Sequence, residues 1–76
     1  MSDDIITMED MAQVYEVTDA LRVDREHLRV ELAKVDPGAF AVTPAGLVEV
    51  TLPLTTPLGA WLPRLREGLE RMLRPA

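Results

Sequence analysis

Apolar residues recur with two different periods along the chain, and the change of period divides it into extended and helical segments. Between residues 39 and 54 they alternate with small or polar residues, and this period of two is typical of β-strands. On either side they recur every three or four residues, as they do on one face of an α-helix. The pattern predicts an α+β fold in which a β-hairpin lies between an N-terminal and a C-terminal helix, in the order α(α)-β-β-α(α).

The hairpin is predicted as a strand over residues 39–43, a turn, and a second strand over residues 47–54. In the turn, Pro44 presets φ for the second position, and Gly46 tolerates the positive φ with which such loops often close. The alternation also decides which side chains share a face of the sheet. One face of the second strand is apolar and consists of Val48, Val50, Leu52 and Leu54.

A long helix is predicted over residues 8–35, ahead of the hairpin. Thr7 is the expected N-cap, and Asp10 follows three residues later, as in a capping box. Residues 1–6 precede this cap and are expected to be flexible. The apolar residues that recur at spacings of three, four and seven are Met11, Val14, Val17, Leu21, Leu28, Leu32 and Val35.

Two arrangements of this long helix agree with the pattern. The seven-residue spacing favours one continuous rod, about 40 Å long, with a seam suited to a partner helix. Asp24 interrupts that seam, so the helix is alternatively kinked or broken near residues 22–24, with Asp24 capping a second helix. In both arrangements Pro37 and Gly38 end the helix, because the residue before a proline is driven out of the α region and glycine is a common stop signal.

The C-terminal helix is predicted over residues 57–74. Thr55-Thr56-Pro57 supplies a threonine cap and a proline at the first helical position. Pro63 lacks an N–H and crowds the carbonyl of Gly59, so we expect a break near Pro63. This helix completes a single small domain over residues 7–76. Its apolar face consists of Leu58, Trp61, Leu62, Leu65, Leu69, Met72 and Leu73.

Composition limits the classes of function. The chain has 76 residues, no cysteine and a net charge of −5. Residues 1–36 carry ten acids against four bases, whereas residues 57–76 carry four arginines against two glutamates. Such an acidic chain repels phosphate backbones, which argues against nucleic acid as a partner. No apolar run approaches the roughly 20 residues of a membrane span, and the start lacks a basic signal region, so we expect a soluble, cytoplasmic protein without a membrane partner.

Residues that could carry out chemistry are few. His27 is the sole histidine. On a continuous helix it would share a face with Asp24 and Glu31, a spacing that resembles half of a carboxylate-bridged metal site, but such a site needs further carboxylates from a facing helix. No serine or threonine lies near a recognisable base, and the sequence has no glycine-rich phosphate loop. We therefore expect a protein that is not an enzyme and that binds no metal or other cofactor.

The predicted hairpin would not be stable by itself. A two-stranded sheet is marginal in water, so helices must cover one of its faces, and both of its edges remain open. The second strand is also longer than the first, which leaves part of its backbone without a partner. Open edges beside apolar surface favour pairing with a strand from another chain, unless Pro53, the twist of the strands and a flanking helix blunt them.

The sequence therefore predicts a small acidic protein–protein interaction module, such as an adapter, a docking domain or an accessory subunit, that forms a homodimer or binds a protein partner. Contact is expected through the edge of the hairpin or through an apolar helix face. Trp61 suits the core as well as an interface, where tryptophan is enriched. The candidate interaction residues are Val14, Leu21, Leu28, Leu47, Val48, Val50, Leu52 and Trp61.

Two families resemble this order of elements. From about Arg25 to Leu73 the chain is similar to the small β-hairpin docking domains at the start of some nonribosomal peptide and polyketide synthetase subunits. The likeness lies in element order and apolar pattern, and residues 8–35 form a longer first helix than that family has. The resemblance implies that a partner's C-terminal tail pairs with the second strand, over residues 47–52.

The alternative resemblance is to a winged helix, which implies a DNA-binding or transcription-modulating protein. Residues 24–35 would then be the recognition helix, residues 39–54 the wing and residues 64–73 a dimerisation helix. A recognition helix is expected to be basic. Residues 24–35 instead balance three acids with three bases, which departs from that expectation.

Overall fold

A computed structural model describes residues 5–73 of the chain. Two helices flank a three-stranded sheet, which confirms the predicted α+β fold with helix, strands and helix in that order. A 3-10 turn, Arg25–His27, precedes the first strand. The helices and strands are α1 (Met8–Ala20), β1 (Leu28–Val30), β2 (Ala39–Val42), β3 (Val48–Thr51) and α2 (Leu58–Leu73).

The sheet has the order β1-β3-β2, so the last strand in sequence occupies the centre. β2 and β3 pair antiparallel, with Phe40 opposite Val50, which confirms the predicted hairpin. β1 pairs with the other edge of β3 and runs parallel to it, with Leu28 opposite Val48. The sequence pattern does not predict this third strand, and β1 removes the open edge expected on the second strand of the hairpin.

The hairpin turn uses the residues that the sequence indicated. Gly46 has a φ of 87°, and its N–H donates to the carbonyl of Thr43 at 2.9 Å. The N–H of Thr43 donates in turn to the carbonyl of Leu47 at 2.8 Å. This is a tight turn closed by a glycine bulge, in which Gly46 and Leu47 together oppose Thr43.

The N-terminal helix is much shorter than predicted, because it ends at Ala20 and not at residue 35. Arg22 lies in the left-handed region with a φ of 61°, and the N–H of Val23 turns back to the carbonyl of Thr18 at 2.8 Å. This pattern is a Schellman stop, for which glycine is the usual residue. The prediction of a continuous helix over 8–35 is therefore wrong, since an arginine takes the position where only glycine or asparagine gives a clear signal.

The alternative of a break near residues 22–24 is confirmed, but no second helix follows it. The side chain of Asp24 does act as a cap, accepting the N–H of Glu26 at 3.0 Å. The element that it caps is the 3-10 turn, and the chain then extends into β1. Leu28 and Val30 therefore share a face of a strand and do not belong to a helical seam.

The predicted break near Pro63 is wrong, because α2 continues through that residue. Trp61, Leu65 and Leu69 are spaced by four residues and are all buried. This apolar stripe continues past Pro63. Burial of the three side chains in one core keeps the helix continuous, although Pro63 has no N–H to donate. Of the predicted range 57–74, Arg74 lies outside the described residues.

Both helices pack on the same face of the sheet and leave the other face open. Side chains of α1 and α2 join the inward face of β3 in one apolar cluster, whereas Glu49 and Thr51 project from the opposite face. The fold therefore has two layers, with the core between the helices and the sheet. The buried apolar residues that form this core are Val14, Val48, Val50, Leu52, Trp61, Leu65 and Leu69.

The segments outside the helices and strands are fixed by specific hydrogen bonds. Ile5 forms an isolated antiparallel bridge with Ala33, and the N–H of Ile6 donates to the carbonyl of Leu32 at 2.9 Å. Of the N-terminal segment predicted to be flexible, Ile5 and Ile6 are thus paired, while residues 1–4 lie outside the described residues. Val35 donates to Leu52 at 2.9 Å, so the chain after β1 stays beside the end of β3.

Candidate interaction surfaces

The predicted interaction residues lie mainly inside the domain. Val14, Val48, Val50, Leu52 and Trp61 are each at most 4% exposed. Leu21, Leu28 and Leu47 are half-buried. Their burial already stabilises the chain's own core, so their contact with another protein stays a prediction and the free surfaces must be sought elsewhere.

The free edge of the sheet belongs to β2 and not to β3. β3 has β1 on one side and β2 on the other, so the strand that the docking-domain resemblance offers to a partner is already paired on both sides. Among residues 5–73, no backbone group donates to or accepts from the outer edge of β2. The hairpin therefore offers its first strand.

Hydrogen bonding in the turn fixes which groups of β2 face outward. Because Thr43 bonds to Leu47 across the hairpin, antiparallel alternation directs the backbone groups of Ala41 and Ala39 toward β3 as well. The N–H and C=O groups of Phe40 and Val42 then point away from the sheet. This outer edge, which we call the β2 edge, presents two donors and two acceptors.

Apart from its short length of four residues, the β2 edge lacks the features with which natural proteins protect such edges. Lysines, inward-pointing charges, prolines and bulges usually prevent an edge strand from pairing with another chain. Residues 37–48 contain no charged side chain, and Pro37 and Pro44 both lie outside the strand. Ala39 and Ala41 project from the open face of the sheet and are exposed, so no large side chain hinders the approach of a second strand.

α2 holds the β2 edge in position from the inner face. A Cβ atom added to Gly68 would overlap the ring of Phe40, so this ring lies directly against the helix backbone. The same ring meets Trp61 edge to face, with centroids 6.2 Å apart and planes at 64°. Aromatic pairs favour such an arrangement. The strand is therefore anchored through Phe40 while its backbone remains open.

A second free surface lies on the N-terminal half of α1. We call it the α1 groove, and it has a volume of about 510 Å³. Met8, at its rim, is 91% exposed, and Leu32, whose carbonyl accepts the N–H of Ile6, is 72% exposed. Large apolar side chains in such positions mark interaction sites when they form a continuous patch. The residues that line the groove are Ile6, Thr7, Met8, Met11, Ala12 and Tyr15.

The sequence contains a second apolar pattern, separate from the seven-residue series, that corresponds to the α1 groove. Met8, Met11, Ala12 and Tyr15 follow the spacing i, i+3, i+4 and i+7, which places them along one helical face. The series that includes Val14 and Leu21 lies on a neighbouring face. α1 thus has two apolar faces, of which one is buried in the core and the other is open from Met8 to Ala12. The ring of Tyr15, at the end of the open face, is covered by the guanidinium of Arg25, 4.1 Å from the ring centroid.

Every charged residue of α1 is acidic. Partial burial acts to raise the pKa of Asp10, but hydrogen bonds from the Thr7 N–H and from Lys34, 3.1 Å away, together lower this pKa below its usual value. The hydrogen bond from Arg25 similarly lowers the pKa of Asp19. Both carboxylates therefore stay ionised at neutral pH.

The remaining acids of α1, Glu9 and Glu16, are exposed. Neither forms an ion pair with another described residue. They are seven residues apart, so they lie on one side of the helix in a row parallel to the α1 groove. The free negative charge of α1 is thus concentrated along one rim of an apolar surface.

The residues considered as alternatives for metal and DNA binding are not arranged as such sites would require. Asp24 caps the 3-10 turn and His27 ends it, whereas Glu31 follows β1. The three residues therefore share no helical face. Within residues 5–73, no three histidine, aspartate or glutamate side chains form a group that could hold a metal ion. Residues 24–35 include no α-helix, so the recognition helix required by the winged-helix resemblance is not formed.

The described part of the chain has no helix with the length and apolar character needed to cross a membrane. Comparison of the sequence with protein-family models and with curated proteins, and of the structure with solved structures, finds no significant match.

Proposed function

We propose that this chain is a protein–protein interaction module, an adapter or accessory subunit, that forms homodimers by pairing two copies of the β2 edge. The observation that carries the proposal is the uncharged edge of Ala39–Val42, to whose outer side no backbone group of residues 5–73 bonds. An exposed strand of this kind is a template for another strand. A second copy of the same strand fits it because each copy offers the same alternation of donors and acceptors.

The pairing is geometrically specific. If a two-fold axis passes beside Ala41, Phe40 of one copy lies opposite Val42 of the other, and these two residues exchange both of their backbone hydrogen bonds. The symmetric pair does the same, which gives four hydrogen bonds across the axis. Ala41 then faces Ala41 of the second copy at a Cα separation of about 4.5 Å, a distance at which a small side chain is an advantage. The result is a continuous six-stranded sheet.

The dimer is expected to be weak. Four hydrogen bonds contribute about 1 kcal/mol each, and two cross-strand pairs of Phe40 with Val42 add roughly 0.2–1 kcal/mol each. The total is about 4–6 kcal/mol before the cost of lost translational and rotational freedom is subtracted, so roughly 40 µM is the tightest dissociation constant expected. Such values are typical of small, transient interfaces. The dimer must therefore be sought at high protein concentration.

Ala41→Lys tests the proposal with a matched control on the same strand. The introduced lysine would face its symmetry mate across the axis, and two positive charges about 5 Å apart repel by about 1–3 kcal/mol, which weakens the dimer by a factor of roughly 5 to 150. Ala39→Lys makes the same change on the same exposed face, but its copies lie about 13 Å apart and should weaken the dimer less than about twofold. Sedimentation velocity over a concentration series measures both constants.

A second variant tests the hydrogen bonds directly. Val42→Pro removes one outward N–H from each copy, and hence two of the four bonds across the axis, while leaving the bonds to β3 intact. Thermal unfolding of dilute samples would establish that each variant keeps the fold of the monomer. A wild-type chain that remains monomeric at millimolar concentration would overturn the proposal, as would equal weakening by Ala41→Lys and Ala39→Lys.

A further inference from the structure

We propose that the α1 groove binds a basic amphipathic helix of a partner protein. The groove is lined almost entirely by apolar atoms, and it runs along two turns of α1, from Met8 to Tyr15. An apolar strip of this length is the surface into which a helix with residues at i, i+3, i+4 and i+7 fits. Met8 and Met11 favour such a use, because unbranched thioether side chains adapt to differently shaped partners.

Charge selects the kind of helix. Glu9 and Glu16 follow the groove as a parallel row, both exposed and neither engaged in an ion pair within the described chain. A partner helix that buries its apolar stripe in the groove brings its flanking positions against this row. Lysine or arginine at those positions is complementary, whereas acidic residues or an anionic lipid surface would be repelled.

A second copy of this chain is a poor occupant of the groove. The apolar stripe of α2 is already buried, through Trp61, Leu65 and Leu69, in its own domain. α1 itself carries only acidic charges, so two α1 grooves placed face to face would oppose like charges. The complementary helix must therefore come from another protein.

The groove and the β2 edge lie on different sides of the molecule. α2 packs on β2, whereas α1 packs against α2 and the 3-10 turn, and the groove adjoins the segment after β1 at Leu32. The inference rests on the proposal that the chain is an interaction module, but not on pairing at the β2 edge. A dimer through that edge would carry two α1 grooves, and the two sites can be tested separately.

The test uses a synthetic peptide as the probe. It is a helix of about five turns, with leucine at i, i+3, i+4 and i+7 and lysine at the flanking positions. A second peptide replaces every lysine by glutamate. Fluorescence anisotropy with the full chain is expected to show binding of the basic peptide and at least about tenfold weaker binding of the acidic one. Backbone amide spectra should place the largest shifts at residues 6–15 and 32, and not at residues 39–42.

Matched variants distinguish specific binding of the basic peptide in the α1 groove from its general attraction to an acidic protein. Glu9→Gln with Glu16→Gln is expected to weaken the basic peptide at least about fivefold, whereas Glu26→Gln with Glu70→Gln, which changes net charge equally, should weaken it less than about twofold.

Apolar contact is tested by Met8→Ser, for which at least about fivefold weakening is expected. The exposed Met72 serves as its control, and Met72→Ser should leave binding unchanged.

Three results would overturn the inference. The first is equal weakening by the two double glutamine variants, which would reduce the binding to net charge. The second is equal affinity for the acidic peptide. The third is a shift of the wild-type dimer to monomer caused by Met8→Ser, because this would make a second copy the occupant of the groove. Loss of dimerisation in Ala41→Lys with peptide binding retained would support the inference, because it would show that the two sites are independent.

Discussion

Gly68→Ala is a test of how β2 is held against α2. Alanine is a better helix former than glycine, so the change alone should stabilise α2 by about 1 kcal/mol. In this chain the new Cβ would overlap the ring of Phe40, which lies on the helix at that point. Overpacking of this kind costs about 1–3 kcal/mol, so we expect a net loss of up to about 2 kcal/mol.

Gly59→Ala is the matched control, because Gly59 belongs to the same helix and an added Cβ would meet no atom within 4 Å. It should stabilise the chain by up to about 1 kcal/mol. The difference in the free energy of unfolding between the two variants then measures the contact with Phe40, because the gain in helix propensity is common to both. In a domain of this size 1 kcal/mol shifts the melting temperature by about 4–8 °C.

Thermal unfolding followed by circular dichroism decides between the outcomes. We expect the melting temperature to fall in Gly68→Ala and to rise in Gly59→Ala. In a background of Phe40→Ala the ring is absent, so Gly68→Ala should become stabilising, and the double-mutant cycle gives the coupling between the two positions. If Gly68→Ala raises the melting temperature in the wild-type background as much as Gly59→Ala does, the reasoning is refuted, because Phe40 would not be fixed against α2.

Two further predictions concern the ends of elements. Thr7→Ala removes one half of the capping box, in which the Thr7 hydroxyl accepts the Asp10 N–H at 3.1 Å, and should lower the stability by about 1 kcal/mol; an unchanged melting temperature would contradict this. The pKa of Asp36 is lowered by the Thr55 N–H first and then by the Thr55 hydroxyl and the Leu54 N–H, so its contribution to stability is present above the unfolded value of about 3.9 and is lost as pH falls through the folded pKa. Asp36→Asn should therefore flatten the loss of melting temperature between neutral and acidic pH, and an unaltered pH profile would count against it.

The parts of the fold that were predicted correctly have local causes. The hairpin follows from strict alternation and from a turn whose proline and glycine each satisfy a backbone requirement. Thr7 and Asp10 form the capping box because both partners lie within four residues of each other. In these places the sequence neighbours are also the spatial neighbours, so the chemistry can be inferred from the order of residues.

The parts that were missed depend on partners distant in sequence. Leu28, Arg29 and Val30 become a strand because β3 offers them a free edge, and nothing in their own spacing distinguishes a short strand from a helical turn. Arg22 stops α1 in a conformation that its residue type does not announce. The wrong prediction of a helix over residues 8–35 is also the reason that the α1 groove was missed. A single apolar seam along that helix does not distinguish the buried face of α1 from its open face.

The central position of β3 has a consequence for the time at which this protein takes its shape. Both neighbours of β3 are synthesised before it, and β1 must wait for a strand that begins some twenty residues later. A nascent chain that ends before residue 48 contains the residues of β1 and β2 but lacks β3, the strand with which both of them pair. Formation of the sheet is therefore deferred until β3 has emerged from the ribosome, and it then requires closure of the chain between β1 and β3, which is slower than forming local contacts.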